Sequence, residues 1–225
     1  MRGRGNARQK WYDTPGFRYF VGRHLIANYV ALAMKTSRAE YHPADYNERV
    51  RADYPVLYAM WHANMTAMAY VVPDHDRARA VSADHPDGLM GAAAVSRWGK
   101  SILTTGASAG SREILTALES GTSVLMTADV PPIRGRNVSR GLIRLARLSG
   151  RPIVPVAVAS TNRSIIEKLW DKMQVNHPFS RVVVVGGEHL LVDDSLDDSA
   201  AVAVLKERLD EAYAKALQLT AKPAR

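Results

Sequence analysis

Four short polar clusters hold the residues best suited to chemistry. In Trp61-His62-Ala63-Asn64, the imidazole of His62 sits between two apolar runs. Imidazole titrates near neutrality, so a histidine placed where a strand gives way to a helix can act as a general base, although the same position also suits a capping or core histidine. Asp84-His85-Pro86-Asp87-Gly88 offers Asp87 either as a carboxylate partner for His62 or as a cap for the next helix. Asp84 and His85 lack metal-ligand spacing to another histidine, so no metal is expected. Gly106-Ala107-Ser108-Ala109-Gly110 matches G-x-S-x-G. That pattern would make Ser108 a nucleophile on a strand-to-helix elbow, with Asp129 and then His177 or His189 completing a Ser…Asp…His order. Two other readings stay open there: Ser108 contacts a phosphate or another part of the substrate, or the turn is merely glycine-rich and Ser111 caps the next helix. Finally, Asp129 ends an apolar run and opens a Pro131-Pro132 turn leading to Arg134, Arg136 and Arg140. Three guanidinium groups beside a helix N-terminus can bind a phosphate.

These clusters need a scaffold, and the apolar pattern supplies one. Short β-branched runs alternate with helical patterns, the signature of a mostly parallel sheet with crossover helices. Strands are predicted over 37–42, 55–61, 78–83, 101–105, 122–128, 152–160 and 181–188. Helices are predicted over 15–35, 63–72, 87–98, 111–120, 138–149, 163–170 and 199–218. Val182-Val183-Val184-Val185 and Ile153–Val158 are apolar on both faces, as buried parallel strands should be. Gly121 and Gly150 each follow a helical pattern, where a left-handed terminating residue belongs. In the last helix Val202, Leu205, Leu209, Ala212 and Ala216 form one stripe. The expectation is a single-domain αβα layered fold with about seven strands. Residues 1–36 form a basic N-terminus and an interfacial or docking helix, 37–192 the α/β core, and 193–225 a C-terminal amphipathic helix and tail. In such sheets chemistry gathers beyond the carboxyl ends of the strands, where all four clusters fall.

Charge narrows the partners. The 225 residues carry 30 Lys+Arg against 22 Asp+Glu, a net +8. Two stretches concentrate it: residues 1–12 hold Arg2, Arg4, Arg8 and Lys10 without an acid, and residues 130–166 hold seven arginines without an acid. An anionic partner is implied: nucleic acid, a membrane surface or a phosphorylated substrate. Aromatic residues are only 7% of the chain and no nucleic-acid motif is present, so nucleic acid is the weakest of the three. Zero cysteines exclude a disulfide scaffold, a thiolate metal site and a cysteine nucleophile, and fit a reducing cytoplasm. No apolar stretch is long enough to span a bilayer: Phe17–Met34 is interrupted by Arg18, Arg23, His24 and Asn28. That segment reads either as a helix docked on the core or as one lying in a membrane interface, behind basic residues that meet anionic lipid.

Taken in order, the segments resemble the lysophospholipid acyltransferase-like superfamily, most closely its uncharacterised bacterial branch related to the glycerophosphate and lipid A late acyltransferases. The resemblance covers about residues 37–190. It rests on Leu57-Tyr58-Ala59-Met60-Trp61-His62, on Ser82 to Leu89, on Leu115 to Asp129, and above all on Gly141 to Ser160 with Pro178 to Val184 after it. It implies an O-acyltransferase, peripheral to the cytoplasmic face of the membrane, that moves an acyl group from a thioester to a lipid hydroxyl. The donor would be acyl-CoA or acyl-carrier protein, and no cofactor is needed. His62 aligns with the histidine of the H-x-x-x-x-D/E motif, which deprotonates the acceptor hydroxyl while the acid orients the imidazole. Ala67 stands where that acid belongs. The carboxylate must come from elsewhere, with Asp87 and Asp129 as candidates. The block from Asp129 to Arg136 aligns with the acceptor's phosphate pocket, which assigns the phosphate to Arg134, Arg136 and Arg140. Two departures bear on substrate choice: the glycine-serine block is shortened to Gly106–Gly110, and Val130 replaces a glycine. The rival readings are a serine esterase working through Ser108 and a non-catalytic basic lipid-binding module.

Overall fold

In the computed structural model, residues 14–84, 86–96, 100–104, 107–129 and 136–221 are described, residues 86, 100–104 and 107–109 by backbone only. The runs that are apolar on both faces become the interior of one sheet. The strands are β1 (Arg38–His42), β2 (Leu57–Met60), β3 (Ala78–Ala83), β4 (Lys100–Thr104), β5 (Ser123–Thr127), β6 (Ile153–Ser160) and β9 (Arg181–Gly186). Their spatial order is β1-β9-β6-β2-β5-β3-β4. All neighbours run parallel except β6 and β9, which pair antiparallel. All eight residues of β6 are buried, which explains its uninterrupted apolar sequence.

The period-two alternation of each strand feeds a separate core on each face. Leu57, Ala59 and Trp61 point to one side and pack with Leu118, Leu142 and Leu205. Tyr58 and Met60 point to the other and pack with Tyr46, Tyr70, Val156 and Val184. The first face is covered by α6 (Ala107–Glu119), α7 (Arg140–Ser149) and α8 (Asp198–Leu219). The second lies under α3 (Tyr46–Ala52), a 3₁₀ turn over His62–Ala67 and the short α4 (Met68–Val71). Gly121 at φ +81° and Gly150 at φ +63° end α6 and α7 in the left-handed conformation that glycine accepts without strain.

The N-terminal segment is one helical rod: α1 (Pro15–Phe20), a π-helical stretch (Val21–Ile26) and α2 (Ala27–Thr36). It docks on α5 (Pro86–Val95), with Gly22 so close that an added Cβ would lie 2.2 Å from the Met90 carbonyl oxygen. The docked face is therefore small-residued, while Tyr19, Phe20, Leu25 and Leu32 remain exposed on the rod. Among the described residues no helix is long and apolar enough to cross a membrane.

Two expectations are corrected. The helix predicted over 163–170 is instead a hairpin of β7 (Arg163–Ile165) and β8 (Gln174–Asn176) with an eight-residue tip. Eight residues are too few for a self-sufficient helix, and here the strands pair from Arg163↔Asn176 to Ile165↔Gln174. Ser111 does not cap α6, because that helix already starts at Ala107.

Candidate active site

The sheet topology dictates what meets at its edge. β2 and β5 are parallel neighbours in the register Met60↔Thr127, so Trp61-His62 and Ala128-Asp129 leave the sheet side by side. The Ala128 amide donates to the Met60 carbonyl at 2.7 Å, which brings Asp129 beneath the start of the 3₁₀ turn. There Asp129 Oδ1 accepts the backbone N–H of His62 at 2.7 Å. Asp129 thus anchors the histidine's main chain rather than its imidazole. Its side chain is buried, and burial raises its pKa above the ordinary carboxylate value, with the His62 N–H opposing that rise.

The imidazole finds its acid elsewhere. β6 lies on the other side of β2, so its carboxyl end also emerges beside His62, and the chain then folds back as the β7–β8 hairpin. Thr66 Oγ1 donates to the Gln174 carbonyl at 2.5 Å, Gln174 Nε2 donates to the Val158 carbonyl at 3.1 Å, and the Val158 amide donates to Asn64 Oδ1 at 3.2 Å. These bonds tie hairpin, central strand and 3₁₀ turn into one unit. The tip then places Asp171 Oδ2 2.6 Å from His62 Nδ1. Asp171 is almost fully buried, its side chain 1% exposed against 21% for His62, and its second oxygen accepts the Met173 amide. Lys172, between them, sits at φ +51°, a strained conformation for a residue with a side chain. The Trp170 ring lies 5.0 Å from the imidazole. Among the described residues nothing hydrogen-bonds His62 Nε2.

The other expected residues are placed as follows. Asp87 is exposed in the first turn of α5 and ion-paired to Arg18 of α1, so its carboxylate is not on the imidazole. Arg136 stacks 4.1 Å over the Tyr213 ring and lies 3.6 Å from Asp210, so α8 already engages its guanidinium. Arg140 is exposed at the first position of α7, whose N-cap Ser139 accepts the Gly141 amide. Arg134 lies outside the described residues, as do Val130 and the side chain of Ser108, whose backbone is in the first turn of α6. Among the described residues neither His177 nor His189 is hydrogen-bonded to Asp129, as a Ser…Asp…His order would need. Asp129 serves His62, His177 sits between Tyr29 Oη at 2.6 Å and Ser164 Oγ at 2.7 Å, and His189 pairs with Asp53. His189 also follows β9, whose antiparallel course carries it to the opposite edge of the sheet. Among the described residues no group of three or more His, Asp or Glu is gathered as for a metal.

Asp171 escapes sequence reasoning because it lies 109 positions after His62. Its one available signal is composition: between Thr161 and Ser180 the only acids are Glu167 and Asp171.

No family model matches the chain. It is 25% identical, over 173 residues, to an uncharacterised protein of Rickettsia prowazekii (strain Madrid E), an alignment covering 75% of this chain and 79% of that protein. Among solved structures it is similar to the 1-acyl-sn-glycerophosphate (LPA) acyltransferase PlsC from Thermotoga maritima, with a TM-score of 0.54 and 14% identity over 93% of this chain and 84% of that one. At that identity the likeness is one of fold: an α/β architecture on a mostly parallel sheet, shared with a lipid acyltransferase.

Proposed function

We propose that this protein is an O-acyltransferase that moves a fatty acyl group from a thioester to the hydroxyl of a phosphate-bearing lipid. The observation that carries the reading is the buried Asp171 carboxylate on His62 Nδ1, with Nε2 open at the carboxyl edge of a fold shared with a known lipid acyltransferase. An ionised Asp171 accepts the Nδ1–H and so fixes the tautomer whose lone pair is on Nε2. Nε2 takes the proton of the acceptor hydroxyl as its oxygen attacks the thioester carbonyl. The tetrahedral adduct collapses, the C–S bond breaks, and the imidazolium returns the proton to the departing thiolate. No covalent enzyme intermediate forms, which accords with a chain that has no cysteine.

A positioned base contributes about 10²–10⁴-fold, and holding donor and acceptor in line supplies much of the rest. The acceptor phosphate is assigned to Arg134, Arg136 and Arg140, of which Arg136 also stacks on Tyr213 and pairs with Asp210. Acyl-CoA or acyl-carrier protein would be the donor, and the enzyme would work as a peripheral protein on the cytoplasmic side of the membrane. In the serine-esterase reading the catalytic acid and histidine are both committed elsewhere. The test is transfer of a labelled acyl group from acyl-CoA or acyl-carrier protein to lysolipid acceptors. His62→Ala should abolish it with the thermal melt intact, whereas undiminished transfer would refute the assignment.

A further inference from the structure

The loop that brings Asp171 to His62 also carries, among the described residues, the densest set of exposed apolar side chains. Ile165, Ile166, Leu169 and Trp170 are each between 36% and 39% exposed, and nearby Phe179 is 82% exposed. Phe179 also holds φ +59°, a conformation that costs a bulky residue free energy. An aromatic ring kept in water by strained backbone calls for a partner outside the chain.

This patch continues onto the N-terminal rod. Tyr29 Oη and Ser164 Oγ both bond to the ring of His177, one on each nitrogen. The Phe179 amide donates to Thr36 Oγ1 and the Ser180 amide to Ser37 Oγ. Leu25 and Leu32, four residues before Tyr29 and three after it, are exposed on the same face of the rod. Rod and hairpin thus present one apolar surface, laced together by hydrogen bonds.

Charge identifies what it meets. Residues 1–39 contain eight Lys and Arg and a single acid, Asp13. On the hairpin tip Glu167 is paired to Lys172 and Asp171 is buried against His62, leaving Lys168 as the surplus cation. Arg23 and Lys35 on the rod and Lys168 on the tip give this apolar surface a positive charge, which complements an anionic bilayer, in which side chains enter the acyl region while lysine and arginine reach the phosphates.

We propose that the tip of the β7–β8 hairpin, together with Phe179 and the outer face of the N-terminal rod, inserts into an anionic lipid surface. The surface from which an acceptor would come is then gripped by the same loop that completes the His62–Asp171 pair. The inference rests on the acyltransferase reading for its purpose, but its test is independent of catalysis.

The test is flotation of the full chain with vesicles of phosphatidylglycerol and phosphatidylethanolamine, and with vesicles of phosphatidylcholine alone. The wild type should float with the anionic vesicles, and an Ile166→Glu/Leu169→Glu variant should lose at least ~10-fold in partition. Phe179→Asn should weaken binding while keeping or raising the melting temperature, because asparagine tolerates the left-handed conformation. Leu148→Glu, at an exposed apolar position on α7, should float like wild type. His62→Ala should also float like wild type, which separates this proposal from the fate of the catalytic one. Three results would overturn it: hairpin variants that float undiminished, a wild type that ignores anionic vesicles, or a wild-type dimer that the hairpin variants dissolve.

Discussion

Two buried carboxylates flank one histidine, and their hydrogen bonds give them different work. Asp171 holds Nδ1, so Asp171→Asn leaves the fold but removes the fixed tautomer. We expect kcat to fall by ~10²–10⁴-fold with KM little changed, which steady-state kinetics would check. Asp129 holds the His62 amide and not its imidazole, a bond that Asn can still accept. Asp129→Asn should therefore cost far less in kcat and should instead alter stability against pH. Burial raises the Asp129 pKa, so the folded state binds its proton more tightly than the unfolded chain does. That contribution is fully present below the ordinary value of 3.8 and fades as pH rises through the raised one. Melts across mildly acidic pH should show wild type losing stability relative to Asp129→Asn as pH increases. A difference between the two that is flat with pH would contradict the assignment.

At the scale of elements, the legible parts were those whose pattern is set by burial. β6 starts one residue after its predicted limit, because both-face burial leaves an uninterrupted apolar run, and β3 lies at Ala78–Ala83, where the strand is predicted, although it is only half-buried. His62 could be picked out because the end of such a run is visible in the sequence. Asp171 could not, since its place depends on β6 lying beside β2 and on a hairpin folding back, both long-range outcomes. The hairpin was itself concealed: Ile165, Ile166 and Leu169 have helical spacing, yet they are exposed and pack as no helix stripe would. The N-terminal rod reads in the sequence as docked or as interfacial; one face docks on α5, and Tyr19, Phe20, Leu25 and Leu32 stay exposed. Its docking hinges on Gly22, where a methyl group would drive into the Met90 carbonyl. Gly22→Ala should cost about 1–3 kcal/mol through overpacking. Limited proteolysis should then cut first within residues 14–36. Unchanged melting and cleavage would mean that the rod is held without this contact.

Across the whole molecule, the two ends of the sequence differ in charge as well as in position. Residues 193–225 sum to −2 and include α8, which packs on one face of the sheet, while the cation-rich N-terminal rod packs on α5 and is bonded to the hairpin that serves the other face. On the proposed membrane reading, a protein with this asymmetry would approach an anionic surface rod first, with the hairpin tip and the His62 edge toward the lipid. Attraction of this kind is screened over ~8 Å at physiological salt and ~3 Å at 1 M, whereas the chemistry at a half-buried imidazole is screened much less. Raising salt should therefore act on KM for an acceptor presented in anionic vesicles, by ~10-fold or more if several cations contribute ~1 kcal/mol each. It should leave kcat, and turnover of a monomeric short-chain acceptor, nearly unchanged. Deleting residues 1–12, which hold four bases and no acid, should flatten that salt dependence in proportion to the charge removed. A KM for vesicle-borne acceptor indifferent to salt would mean that the apolar hairpin alone finds the membrane and that the excess positive charge serves the substrate phosphate.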